Sequence, residues 1–358
     1  MPVQRPPASA EHRLVFLDYL RIFAFGSVLA GHKFWEPLWA AVSSPDSPWH
    51  WPAWLLWPWV RFGGVGVLVF FLVSGYIITH VLQRERTAEF LLKRAFRIYP
   101  LYLAAVLGEG AWLAAEGRAP ELPTLLRQMT LLGDWMGTPY ALGSMGVEWT
   151  LRIELAFYVL MAALKASGLV DWHGGAALPW LYALLAAALW AAGPWPTHTG
   201  WALGYLSLYF PCLLLGSAIQ LGERGAVRWG VVLGLGALVL LLQYAGLKRW
   251  QPGLATVHLA PLAVGLFLLL WACRRRLPAP AWVLGLSELT YAVYLFHNWV
   301  FDIVRDAAQG WGWAVGAARL LALVALLALC AALVRGIEQP AIRLGRRLAR
   351  RFGPRRAV

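Results

Sequence analysis

The stretch Leu14-Val15-Phe16-Leu17-Asp18-Tyr19-Leu20-Arg21-Ile22-Phe23-Ala24-Phe25-Gly26-Ser27-Val28-Leu29-Ala30-Gly31-His32 decides how the chain is read. It has the roughly 20 mostly apolar residues that a helix needs to cross a bilayer. It also holds Arg21 and His32, and a charge near the bilayer centre costs roughly 2.5–3.5 kcal/mol on insertion scales. Eleven residues separate the two. On a helix that places them about 20° apart around the axis and roughly 16 Å apart along it. The bland alternative pairs Arg21 with Asp18 and leaves His32 as an interfacial group bonded to a loop. Two costly side chains on one face argue instead for function.

The rest of the chain supports a membrane setting. Of 358 residues, 60% are hydrophobic and only 14% charged, and mean hydropathy is +0.59. Soluble domains run near 45–50% apolar with about a quarter of residues charged. The expected fold is an all-α polytopic membrane protein with about ten transmembrane helices. Ten segments are long enough: Leu14–His32, Val65–Leu82, Phe96–Leu113, Val147–Lys165, Leu178–Ala192, Leu203–Leu221, Trp229–Gly246, Val257–Cys273, Trp282–Val304 and Trp313–Val334. They fall within one expected domain, residues 14–335, between an N-terminal segment (1–13) and a basic tail (336–358). No internal repeat and no removable signal peptide is read.

The net charge of +13 sits in short loops beside these spans, which fits topology and anionic lipid rather than nucleic acid. Arg84, Arg86, Lys93, Arg94, Arg97, Arg224, Arg228, Arg274, Arg275, Arg276 and the tail from Arg343 to Arg356 fall on one side. The positive-inside rule makes that side, with both termini, cytoplasmic. Trp49, Trp51, Trp54, Trp57 and Trp59 suit an interfacial belt. Cys212, Cys273 and Cys330 read as small apolar residues. No spacing supports a metal site. His12, His50, His173 and His198 read as loop groups, and His80 and His258 as lying near helix ends.

Several motifs then carry chemistry. In Phe70-Phe71-Leu72-Val73-Ser74-Gly75-Tyr76 the small pair serves either close helix packing or a narrow tunnel. Arg94 and Arg97, at i and i+3, share a face that can clamp phosphates, while Lys93 reads as an anchor. The stretch Trp149 to Tyr158 buries Arg152 and Glu154, too close in sequence to pair on one helix. A buried carboxylate beside an imidazole orients it and stabilises its charged form. Tyr294 and His297, at i and i+3, suit a polar contact between helices or a catalytic one. With the termini inside, His32, Glu154 and His297 are expected in the outer half and the Arg94/Arg97 pair at the inner mouth.

The ordered set Leu17-Asp18-Tyr19-Leu20-Arg21…Gly31-His32, Phe-Phe-x-x-Ser74-Gly75-Tyr76 and Arg94-x-x-Arg97-Ile-Tyr-Pro resembles acyltransferase family 3, integral-membrane enzymes that include O-antigen acetylases. Trp149-Thr150-Leu151-x-x-Glu154-x-x-Phe157-Tyr158, Tyr294-Leu295-x-His297 and Ile337-Glu338-Gln339-Pro340 are similar to its later motifs. Tyr19 stands where the family often has Gly, and Thr150 where it often has Ser. The proline that commonly follows shortly after the histidine is absent, with Trp299 nearby instead. The hydrolase-like domain of some members does not follow before Val358, so the membrane domain or a separate partner is expected to complete transfer.

The resemblance implies transfer of an acyl group, commonly acetyl, from cytosolic acyl-CoA to a hydroxyl of an envelope glycan, glycolipid or related acceptor. The setting implied is the bacterial inner membrane, with no permanently bound cofactor, no nucleic acid and a possible homo-oligomer. Arg94 and Arg97 would hold the CoA phosphates, and the pantetheine arm would pass Ser74, Gly75 and Arg21. His32 would be general base or transient acyl carrier, with Glu154 as its catalytic partner. Arg152, Tyr294 and His297 would orient it or bind the acceptor. From the buried charges alone, a transporter or flippase and a glycosyltransferase using lipid-linked sugar stay open.

Overall fold

A computed structural model describes residues 14–136, 142, 146–197, 203–255 and 259–352. The N-terminal segment 1–13, the end of the tail, and His12, His198 and His258 lie outside the described residues. The described chain is all-helical. The first half comprises α1 (Val15–Lys33), α2 (Trp35–Ser43), α3 (His50–Val60), α4 (Gly64–Leu82), α5 (Thr87–Ala115), α6 (Leu122–Met129), α7 (Glu148–Ala166) and α8 (Leu178–Ala191). The second half comprises α9 (Tyr205–Glu223), α10 (Trp229–Trp250), α11 (Pro252–Ala255), α12 (Leu259–Ala272), α13 (Ala281–Glu288), α14 (Thr290–Gly310), α15 (Val315–Leu333) and α16 (Gln339–Ala349).

Six helical stretches are long and apolar enough to cross a membrane: Val15–Lys33, His50–Leu82, Thr87–Ala115, Tyr205–Glu223, Trp229–Trp250 and Val315–Ala349. The remaining expected spans fall short for two reasons. Helices α8 and α12 are apolar but only 14 residues each. Helices α7 and α14 are long, with 19 and 21 residues, but charged. Glu148, Arg152, Glu154 and Lys165 lie on α7, and Asp302, Arg305 and Asp306 on α14. The ninth expected span is two helices. It breaks at Leu289, where the Thr290 hydroxyl donates to the Ser287 carbonyl at 2.8 Å. Such local side-chain bonds compete with the helical ladder.

Helix α4 is the axis of the bundle, packed along α9 and against α1, α7 and α12. Glycine makes the α4–α9 approach possible. A Cβ on Gly75 would stand 2.0 Å from the Leu213 carbonyl oxygen, and one on Gly216 would stand 2.2 Å from that of Leu72. Small residues at crossings let backbones approach and gain dispersion contacts, the main attraction available between helices in lipid. Gly75 is therefore a packing residue; of the Ser74-Gly75 pair, only Ser74 faces the cavity described below.

The outer end of α1 is fixed the same way. Phe62 and Gly63 take positive φ values of 55° and 66° where α3 turns into α4. That turn presses on α1 so closely that a Cβ on Gly31 would meet the Gly63 nitrogen at 2.3 Å. His32, the next residue, is thereby held against the rest of the bundle. On the other side of α1, Lys33 donates to Asp302 at 2.7 Å and to the Asn298 carbonyl at 2.9 Å, tying α1 to α14.

Candidate active site

Three cavities follow one another along the face of α1 that carries Arg21 and His32. The first, of about 220 Å³, is lined by Arg21, Ser74, Arg94, Arg97, Glu154, Tyr158 and the α13–α14 junction. The α5 cations divide by role. Lys93 is spent on structure, bonded to Glu85 at 2.8 Å and Glu89 at 2.5 Å. Arg94 and Arg97 turn into the chamber, and the buried Arg94 Nε has no hydrogen-bond partner among the described residues. Ser74 and Tyr158 both donate to Glu154 Oε1, at 2.6 Å each. Arg21 stands 3.7 Å from the buried Asp18, which also accepts from Ser287 at 2.7 Å. A chamber with three guanidiniums facing two carboxylates, Glu154 and Glu288, suits an anion.

The second cavity is a constriction of about 10 Å³ lined by Ala24, Phe25, Val28, Gly66, Val67, Phe70, Thr150, Thr290 and Tyr294. A cavity of that order holds about one water. Phe70 and Tyr294 stack across it, nearly parallel at 3° with ring centroids 6.2 Å apart. Thr150 fixes Tyr294 by donating to its hydroxyl oxygen at 2.7 Å. Phe70 and Thr290 also line the first cavity, while Val28, Val67 and Tyr294 also line the third.

The third cavity, about 450 Å³, holds His32 among Trp35, Phe62, Trp149, Tyr209 and Tyr294. The His32 and His297 rings are roughly stacked, with centroids 5.1 Å apart. His32 Nδ1 lies 3.0 Å from His297 Nε2 and 3.3 Å from Asn298 Oδ1. His297 Nδ1 lies 2.8 Å from the Tyr294 carbonyl oxygen and 3.2 Å from that of Val293. Carbonyl oxygens only accept, so Nδ1 of His297 carries hydrogen, and in a neutral ring Nε2 is then its acceptor. His32 Nδ1 must donate to it, with Asn298 Oδ1 as a second acceptor. For neutral His32 these two contacts favour a lone pair on Nε2; the Phe62 backbone also hydrogen-bonds the ring. One imidazole bears on the tautomer of the other, as a neighbouring carbonyl or carboxylate does for many histidines.

The structure therefore brings Arg21, Ser74, Arg94, Arg97 and Glu154 together at one chamber, and His32 and Tyr294 at another, with His297 buried behind His32. It corrects two placements. Glu154 sits with the arginines and bonds Ser74 and Tyr158, rather than standing beside His32. Arg152 lines none of the three cavities. Fully buried, it donates to the Leu131 carbonyl at 3.0 Å and to Gln128 Oε1 at 3.1 Å, tying the α6 segment to α7. Two residues on a helix differ by about 200°, so Arg152 and Glu154 face opposite ways. Lys33, Asn298 and Asp302 were missed as supports of His32. Their signal was present in the adjacency of Lys33 to His32 and the i, i+4 spacing of Asn298 and Asp302.

Comparison with known proteins identifies the family. The chain is similar to Nodulation protein 10 of Rhizobium leguminosarum bv. viciae, 28% identical over 94% of this chain and 95% of that protein. It is 27% identical to Acyltransferase MdmB of Streptomyces mycarofaciens, over 80% of this chain and 82% of the other. It is 28% identical to the Exopolysaccharide production protein ExoZ of Rhizobium meliloti, over 79% and 91%. No solved structure matches at comparable significance. The acyltransferase-domain family, that of the membrane acyltransferases, matches residues 14–335. The transporter and glycosyltransferase readings fall away: this multi-pass helical chain belongs to acyltransferase family 3, and is an enzyme that transfers acyl groups other than amino-acyl groups.

Proposed function

We propose that the protein transfers an acyl group, commonly acetyl, from cytosolic acyl-CoA to a hydroxyl of an envelope glycan, glycolipid or related acceptor, across the bacterial inner membrane. The observation that carries this reading is the row of cavities joining the Arg94/Arg97 chamber to His32 along one face of α1. The arginines hold donor phosphates through bidentate charged hydrogen bonds. The acyl-bearing arm lies along Arg21 and Ser74 and passes between Phe70 and Tyr294. His32 Nε2 takes the proton of the acceptor hydroxyl as its oxygen attacks the thioester carbonyl. Collapse of the tetrahedral adduct expels the CoA sulfur, and the imidazolium returns the proton to it. Trp35, Trp149 and Tyr209 give the outer cavity aromatic faces suited to a sugar ring. The name of one relative, an exopolysaccharide production protein, favours a glycan acceptor.

The test combines a deletion strain with two variants. Mass spectrometry of envelope glycans and lipids from the deletion strain should show a missing acyl mass that identifies acceptor and donor. Purified Arg94→Ala/Arg97→Ala should lose acyl-CoA binding, and His32→Ala should keep binding but lose transfer. Transfer at the wild-type rate by His32→Ala would refute the catalytic role. An acyl group trapped on His32 after rapid quenching would replace the base with an acyl carrier.

A further inference from the structure

Helix α15 runs through a π-helical turn, Val334–Glu338, into α16. Helix α16 packs on α5 so closely that a Cβ on Gly345 would meet Phe96 Cβ at 2.6 Å. It is thus laid beside Arg94 and Arg97. Between them lies a fourth cavity, of about 510 Å³, lined by Arg21, Arg97, Glu288, Glu338, Arg343 and Arg346 among others. It shares Arg21, Arg97, Ser287 and Glu288 with the inner chamber.

We propose that Arg343 and Arg346 belong to the donor site, and that this cavity receives the phosphorylated nucleotide end of the acyl donor. The inference rests on the acyl-CoA reading and extends it. The inner chamber alone, about 220 Å³, is smaller than the roughly 300–1,000 Å³ typical of small-molecule sites. Joined to this fourth cavity, of about 510 Å³, it falls within that range. Four guanidiniums oppose two carboxylates here, so the occupant is an anion carrying more than one charge. Glu338 is buried, and its Oε2 has no hydrogen-bond partner among the described residues. A buried carboxylate oxygen left unmatched calls for a donor, which the exocyclic amine of a nucleobase supplies. A polyanion that also bears N–H donors describes a nucleotide better than a bare phosphate. Arg343 and Arg346 are i and i+3 on α16; Arg347 and Arg350 do not line the cavity.

The competing occupant is an anionic lipid headgroup, which shares the phosphate chemistry. The experiment measures binding of CoA and of dephospho-CoA, which lacks the ribose phosphate. Wild type, Arg343→Gln/Arg346→Gln and Arg347→Gln/Arg350→Gln are compared in neutral nanodiscs and in nanodiscs containing phosphatidylglycerol. Both substituted pairs are exposed, and an unchanged melting temperature verifies folding. A tenfold or greater loss of CoA affinity in Arg343→Gln/Arg346→Gln is expected, alike in both lipids and smaller for dephospho-CoA. Arg347→Gln/Arg350→Gln should bind as wild type. Wild-type affinity in the first pair, or a loss seen only with phosphatidylglycerol, overturns the proposal. If wild type binds CoA in neither lipid, the acyl-CoA reading itself fails and takes this inference with it.

Discussion

At the scale of single residues, the site depends on which nitrogen of His32 is free to act. The hydrogen-bond network favours Nε2, through the Tyr294 carbonyl two hydrogen bonds away that accepts from His297 Nδ1. His297→Phe removes the acceptor for His32 Nδ1 and lets the ring turn or change tautomer. Loss of a positioned general base costs about 10²–10⁴-fold in rate, and His297→Phe is expected to fall near the lower end of that range. His297→Gln, whose Oε1 can accept in place of Nε2, should recover part of the loss. The check is kcat for acyl transfer, with the donor KM unchanged in both variants; a KM effect instead would make His297 a binding residue. Arg21 and His32 were legible in sequence because ionisable groups are conspicuous in an apolar run. His297 was an expected partner of His32 alongside Glu154, but Asn298 was not legible, because these contacts join residues 265 and 266 positions apart. Contacts at such separation are made by helix packing, on which local periodicity is silent.

At the scale of elements, α4 separates packing from chemistry on adjacent residues. Gly75 meets α9 and Ser74 meets Glu154, since neighbours on a helix point about 100° apart. Overpacking costs typically 1–3 kcal/mol. Gly75→Ala should therefore lower the melting temperature while the surviving enzyme keeps its donor KM. Ser74→Ala should do the reverse, raising donor KM with little effect on melting. Thermal melts and initial rates on the same preparations separate the two. Sequence could name the Ser-Gly pair but could not assign each residue a face without knowing where α9 lies. The constriction makes a further element-scale prediction. Phe70→Ala removes one half of the stack with Tyr294 and widens the passage. Longer acyl donors, such as butyryl-CoA, should gain relative to acetyl-CoA in kcat/KM. An unchanged acetyl-to-butyryl preference would mean that the acyl arm does not pass there.

At the scale of the whole molecule, the two chemistries occupy opposite ends of one bundle. The ordered motifs disclosed the family over 14–335 because buried charges in fixed order are rare in apolar sequence. The span count was harder to read. Helices α7 and α14 owe their polarity to the charges that build and brace the site, and that polarity hides them from a hydropathy criterion. The division of ends sets up a test of sidedness. Acyl-CoA is membrane-impermeant, and its proposed arginines lie at the end of α5 that follows the basic loop Arg84–Arg86. In sealed right-side-out vesicles carrying acceptor, external acyl-CoA should support no transfer, whereas inverted vesicles should transfer from external donor. Permeabilised right-side-out vesicles should recover the rate, which separates blocked access from inactive enzyme. Because His32 lies roughly 16 Å along α1 from Arg21, the proposed route carries the acyl group between the ends while the nucleotide stays behind. Full transfer from external donor in intact right-side-out vesicles would place the arginine chamber on the outer face. It would reverse the orientation inferred from the basic loops while leaving the cavity chemistry intact.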